Sequence, residues 1–129
     1  MTAPNDALVA YRLQRSREAL VEARLLADHE HTNAAVNRLY YACFHAVSAL
    51  LYSRGLVSAK HSGIRSLFGL RFVKTGLVPK DLAAFYNDLF EHRQESDYAD
   101  FYQVDPSLLP SWLDQAQQFI DFIAELTQG

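Results

Sequence analysis

The sequence holds a single cysteine, Cys43, set inside the apolar run "LYYACFHAVSALL". No intramolecular disulfide can form, which points to a reducing, cytoplasmic setting. Cys43 itself reads as a small buried hydrophobe. Five glycines and four prolines in 129 residues leave little material for turns, so long regular elements are expected. There is no glycine-rich phosphate loop and no Cys/His spacing that suits zinc. The histidines of "HEHTN", His29 and His31, stand two apart and leave different faces of a helix. No apolar run approaches the roughly 18 residues of a membrane span, and no basic start with an apolar stretch marks a signal peptide. The expectation is one domain over residues 1–129, with no metal, no cofactor and no membrane contact.

Charge is present but unevenly placed. The net formal charge is −3. Residues 1–80 carry eleven of the twelve Lys and Arg against five acids, while residues 81–129 carry Arg93 against ten acids. From Arg54 to Lys80 there are six cations (Arg54, Lys60, Arg65, Arg71, Lys74, Lys80) and no acid. Such a stretch meets either phosphates or an acidic protein surface, including the acidic third of this chain or of a second copy.

Periodicity divides the chain into five helical segments and no strand. The first is expected from Asn5 to Asp28. "HEHTN" breaks it, with Thr32 or Asn33 as the cap of a second helix from Asn33 to Ser53 that stops at Gly55. A shorter helix follows from Ser62 to Val73, ended near Gly76. "VPKD" opens a fourth, with Pro79 in its first turn, running to Asp97. Tyr98 to Val104 reads as a loop. Asp105 caps the fifth, and Pro106 takes its first position. Leu109, Trp112, Leu113, Ala116, Phe119, Ile120, Ile123 and Leu126 recur there every three or four residues. The fold class is therefore all-α, an up-and-down bundle of four to five helices.

Two helices carry polar groups where apolar ones belong. The second is apolar nearly all round, yet Arg38, Tyr41, His45, Ser48 and Tyr52 form one stripe at spacings of three and four. On a helix of buried type this is a polar seam, facing a cleft or a subunit interface, since buried charge requires partners. On the fourth helix the stripe Leu82, Phe85, Tyr86, Leu89 continues into Arg93. Asp97, one turn on, is placed for an i,i+4 pair with it. That pair stabilises by only a few tenths of a kcal/mol, too little to account for a cation on a core stripe. Arg93 is expected beside the polar seam, held for an anion. Beyond it Tyr98, Phe101 and Tyr102 either stack bases or pack on the bundle.

The segments "NRLYYACFHAVSALL", "KHSGIRSLF…FVKTGLVPKDL" and "LFEHRQESDYADF", in that order, resemble a small stand-alone prokaryotic branch of the HEPN superfamily, over about Leu8 to Ile123. The resemblance implies a helical bundle, usually a homodimer. It also implies a metal-independent endoribonuclease chemistry, with an arginine followed four to six residues later by a histidine, and two such motifs meeting across the dimer. Many relatives of this kind are toxins encoded beside a minimal nucleotidyltransferase that neutralises them.

Arg93 matches the motif arginine and Gln94 the polar residue after it. The histidine does not carry over: five, six and seven residues after Arg93 stand Tyr98, Ala99 and Asp100. Metal-free RNA cleavage needs a base for the 2′-hydroxyl and an acid for the leaving oxygen, and imidazole suits both. His92 projects about 100° away from Arg93 around the helix and is expected to reach solvent. His45 and His61 are the remaining imidazoles. The candidate catalytic set is Arg93, Asp97 and His45, with Tyr41 steadying a ring nitrogen of His45 and Arg38 holding a phosphate. The candidate binding set is Arg38, Tyr41, Lys60, His61, Gln94 and Tyr98. Three classes stay open: an RNA-targeting toxin-like partner of a nucleotidyltransferase, a catalytically degenerate dimer that binds nucleotide or protein, and a plain helical dimer.

Overall fold

The computed structural model describes residues 6–128. The helices are α1 (Asp6–Asp28), α2 (Thr32–Ser53), α3 (His61–Phe68), α4 (Lys80–Tyr98) and α5 (Leu109–Leu126). No strand occurs among the described residues, and no helix there is long and apolar enough to cross a membrane. The expected start of the first helix at Asn5 lies outside the described residues.

Helix α2 is the axis of the bundle. It packs against each of the other four helices, which is why it tolerates apolar residues on every side. Val36, Leu39, Cys43, Val47 and Leu50 are wholly buried along it. Cutting Leu39 or Leu50 to Ala would cost about 2–5 kcal/mol through lost transfer energy and an unfilled cavity. Burial alone pushes the Cys43 thiol well up, so it stays protonated and inert. Around α2, the rings of Phe68, Tyr86 and Phe119 meet at centroid distances of 5.6–6.1 Å and join α3, α4 and α5.

The helix ends follow local chemistry, with three corrections. Gly55 takes φ +73°, and Gly55 N–H to Tyr52 O with Leu56 N–H to Leu51 O closes α2 in a Schellman arrangement. Neither Thr32 nor Asn33 caps α2; His31 holds the cap position with no side-chain bond. Asn33 is engaged elsewhere, donating from Nδ2 to Tyr102 O at 2.9 Å and accepting from Val104 N–H at 3.0 Å. Pro79 is the cap residue of α4 rather than part of its first turn. The third segment is not one α-helix: past Phe68 it widens into a π turn over Gly69–Val73. Asp105 caps as expected, taking Ser107 N–H at 2.9 Å and Ser107 Oγ–H at 2.8 Å. Pro106 opens a short 3₁₀ turn that leads into α5.

Candidate functional site

The fourth-helix stripe is buried through Phe85, Tyr86 and Leu89. One turn later Arg93 continues it with a side chain only 16% exposed. Because α4 lies on α2, that direction brings Arg93 onto the α2 seam. Its Nη2 donates to Tyr41 Oη at 3.0 Å. Its Nε lies 2.9 Å from Asp97 Oδ2, off the N–H axis, so this is an ion contact rather than a hydrogen bond. The guanidinium carbon stands 5.5 Å from the Tyr40 ring centroid and 5.4 Å from that of Tyr41, within cation–π range.

The seam continues along α2. Arg38 is half-buried, with its guanidinium carbon 5.1 Å from the Tyr41 centroid. It donates to Asn37 Oδ1 from Nε and Nη2 and meets Glu22 at 3.4 Å. His45, one turn beyond Tyr41, has Nδ1 3.4 Å from Arg12 Nη1. Burial, then Arg12, Arg15 and Arg38, lower its pKa to about 4, so the ring is neutral at pH 7. His61 arrives from the start of α3, stacks on Phe44 at 4.1 Å, and has Nδ1 3.3 Å from Tyr40 Oη. Burial and the Arg93 charge lower its pKa as well. Two neutral imidazoles and a tyrosine hydroxyl thus line a face ringed by guanidinium groups.

The fold brings Arg93, Asp97, Tyr41, Arg38, His45 and His61 together. It leaves Lys60, Gln94 and Tyr98 outside that cluster, all exposed. Gln94 and Tyr98 line a separate shallow hollow with Glu95 and Ala99. Tyr41 does not steady His45: its hydroxyl is taken by Arg93, and Arg12 holds the imidazole. His92 reaches solvent only in part. It is half-buried, bonds through Nδ1 to Tyr102 Oη, and lies 4.8 Å from the Trp112 ring. Tyr98 ends α4 rather than opening the loop; it and Phe101 stand out, while Tyr102 packs against the core. None of the six cations from Arg54 to Lys80 forms an ion pair among the described residues. Arg54 bonds Leu126 O, and Arg65 lies 3.9 Å over the Phe90 ring.

Arg12 was missing from the sequence-based set. Its signal was present: Arg12, Ser16, Ala19 and Ala23 fall at spacings of four, three and four, and the last three are buried. Like Arg93, it is a cation on a core stripe. Among the described residues no cluster of three or more His, Cys, Asp or Glu is placed to hold a metal.

Five α-helices and no strand among the described residues define an all-α bundle. The fold is matched by the solved structure of TT1696 from Thermus thermophilus. The TM-score is 0.76 at 22% identity, over 92% of this chain and 97% of that one. The chain belongs to the HEPN family, whose HEPN domain model matches residues 9–126. It is 42% identical to a "UPF0332 protein" of Thermotoga maritima, over 95% of this chain and 93% of that protein. It is 30% identical to "Putative toxin MJ0605" of Methanocaldococcus jannaschii, over 86% of this chain and 82% of that protein.

Proposed function

We propose that this chain is a toxin-like, RNA-targeting HEPN protein that acts in the cytoplasm as a homodimer and is neutralised by a nucleotidyltransferase partner. The observation that carries the reading is Arg93. It is a nearly buried guanidinium held between Asp97 and Tyr41, close enough to His61 for its charge to lower that imidazole's pKa, with His45 one turn along α2 from Tyr41, and the resemblance matches it to the family's motif arginine. Arg93 binds the phosphate. His45, unprotonated at pH 7 but with its pKa lowered to about 4, is a weak base for a 2′-hydroxyl, and water supplies the proton for the leaving 5′-oxygen, so cleavage is slow. The toxin name of a relative supports the biological half of the reading. The exposed cations from Arg54 to Lys80 are the surface for an acidic partner or for more of the RNA chain.

The test is incubation of the purified protein with structured RNA in chelator, beside Arg93→Ala and His45→Ala. Slow cleavage lost in both variants supports the reading. Rapid cleavage that survives His45→Ala removes His45 from it. Binding without cleavage, lost in Arg93→Ala, favours a catalytically degenerate dimer instead. That second reading has its own observation: Tyr98, Ala99 and Asp100 occupy the motif histidine's place. Light scattering checks the assembly, where a stable mass near the 14.6 kDa of one chain would exclude the dimer.

A further inference from the structure

Four arginines surround the seam, and three have carboxylates: Arg15 pairs with Glu18, Arg38 with Glu22 and Arg93 with Asp97. The fourth, Arg12, has none within ion-pair distance among the described residues. It is half-buried, its Nε is buried without a hydrogen-bond partner, and its Nη1 faces the neutral ring of His45. Its guanidinium carbon stands 5.7 Å from the Tyr52 centroid. Leaving a guanidinium there without an anion is costly, because desolvation is not offset by an opposite charge. An imidazole offers no charge in return, and Arg12 itself disfavours the imidazolium.

We propose that Arg12, together with His45 and Arg38, forms a second phosphate-binding subsite that takes the backbone of single-stranded RNA beside the group held by Arg93. The identity of the chain carrying that phosphate rests on the RNA-targeting reading above. The choice of a polyanion over a single carboxylate follows from the layout. Along α2 the Tyr41 ring is contacted by Arg93 and Arg38, and the Tyr52 ring by Arg12. Guanidinium groups interleaved with rings along one face suit successive phosphates and bases. The planar fork of arginine also fits a phosphate with two parallel N–H bonds.

The probes are inorganic phosphate and a short uridine oligomer, with wild type, Arg12→Ala and Arg12→Lys, at two salt concentrations. Wild type should bind both. In Arg12→Ala the oligomer Kd should rise about tenfold, and the salt slope should fall by about 0.7, one single-strand contact. Arg12→Lys should recover only part of the affinity. Thermal melting of Arg12→Ala should match or exceed wild type, since an uncompensated charge has been removed; a structural arginine would lower it. In wild type, NMR titration should show the His45 pKa rising from about 4 when phosphate is added. Wild-type affinity and salt slope in Arg12→Ala would overturn the subsite and leave the RNA reading standing. Arg12-dependent binding of phosphate without binding of the oligomer would keep the subsite and end the RNA reading. An unmoved His45, with a weakened dimer in Arg12→Ala, would overturn the subsite in favour of a carboxylate from a second copy.

Discussion

Arg93 and Tyr41 are 52 residues apart in the chain, and the guanidinium Nη2 donates to the phenol oxygen at 3.0 Å. That bond ties the inner end of α4 to the middle of α2. It also uses one face of the guanidinium, with Asp97 on another.

Tyr41→Phe should therefore separate folding from binding. It removes one part-buried hydrogen bond, worth about 0.5–1.5 kcal/mol, and keeps the ring under both guanidinium groups. Chemical denaturation should show that small loss. RNA affinity should change less than in Arg93→Ala, because the cation remains. An equal loss of binding in the two variants would mean that the hydroxyl itself, rather than the charge, makes the contact.

Asn33→Ala should act on a loop 69 and 71 residues away in sequence. It leaves the Tyr102 carbonyl and the Val104 N–H without their partner, at a cost of about 1–3 kcal/mol for the unsatisfied groups. Amide exchange at Val104 should accelerate more than exchange in the centre of α2. Uniform acceleration across the chain would show that Asn33 has no local role.

His92→Ala should lower stability by about 1 kcal/mol, through the lost Tyr102 bond and the contact with Trp112, and leave RNA affinity unchanged. Its ring faces α5 and the loop, away from the seam. A fall in affinity with no change in melting temperature would place His92 in the binding surface after all.

Stability should carry a His45 signature. Its folded pKa is depressed to about 4 against an unfolded value near 6.5. In that window the unfolded chain binds the extra proton, so stability falls as pH drops from about 6.5 to about 4. Above 6.5 the effect is absent. His45→Gln should flatten that part of the melting-temperature profile relative to wild type. Parallel wild-type and variant curves from pH 7 to 4 would show that His45 is not held neutral. His61, lowered in the same direction, adds a slope of the same sign that His45→Gln leaves in place.

Losses of affinity with salt should be steep for any ligand of the seam or of the Arg54–Lys80 stretch, since exposed charges are screened over about 8–10 Å near physiological ionic strength. Binding that is flat between low and high salt would point to an apolar interface.

The sequence alone determined what helical periodicity can carry. Five helices, the buried character of α2, the Gly55 stop, the Asp105 cap and the anomaly of Arg93 all follow from residues within one or two turns of each other. Arg12 was legible by the same rule, but charged neighbours such as Arg15, Arg17 and Glu18 diluted the pattern of α1. Tertiary structure alone decided who meets whom. Whether Tyr41 serves His45 or Arg93 depends on where α4 crosses α2. Whether His92 meets water depends on a loop that folds back to it, and whether Asn33 caps its own helix depends on that loop's backbone. Those contacts join residues 10 to 71 positions apart. A 3.6-residue period fixes the face from which a side chain leaves its helix, and only the packing of helices fixes what stands opposite.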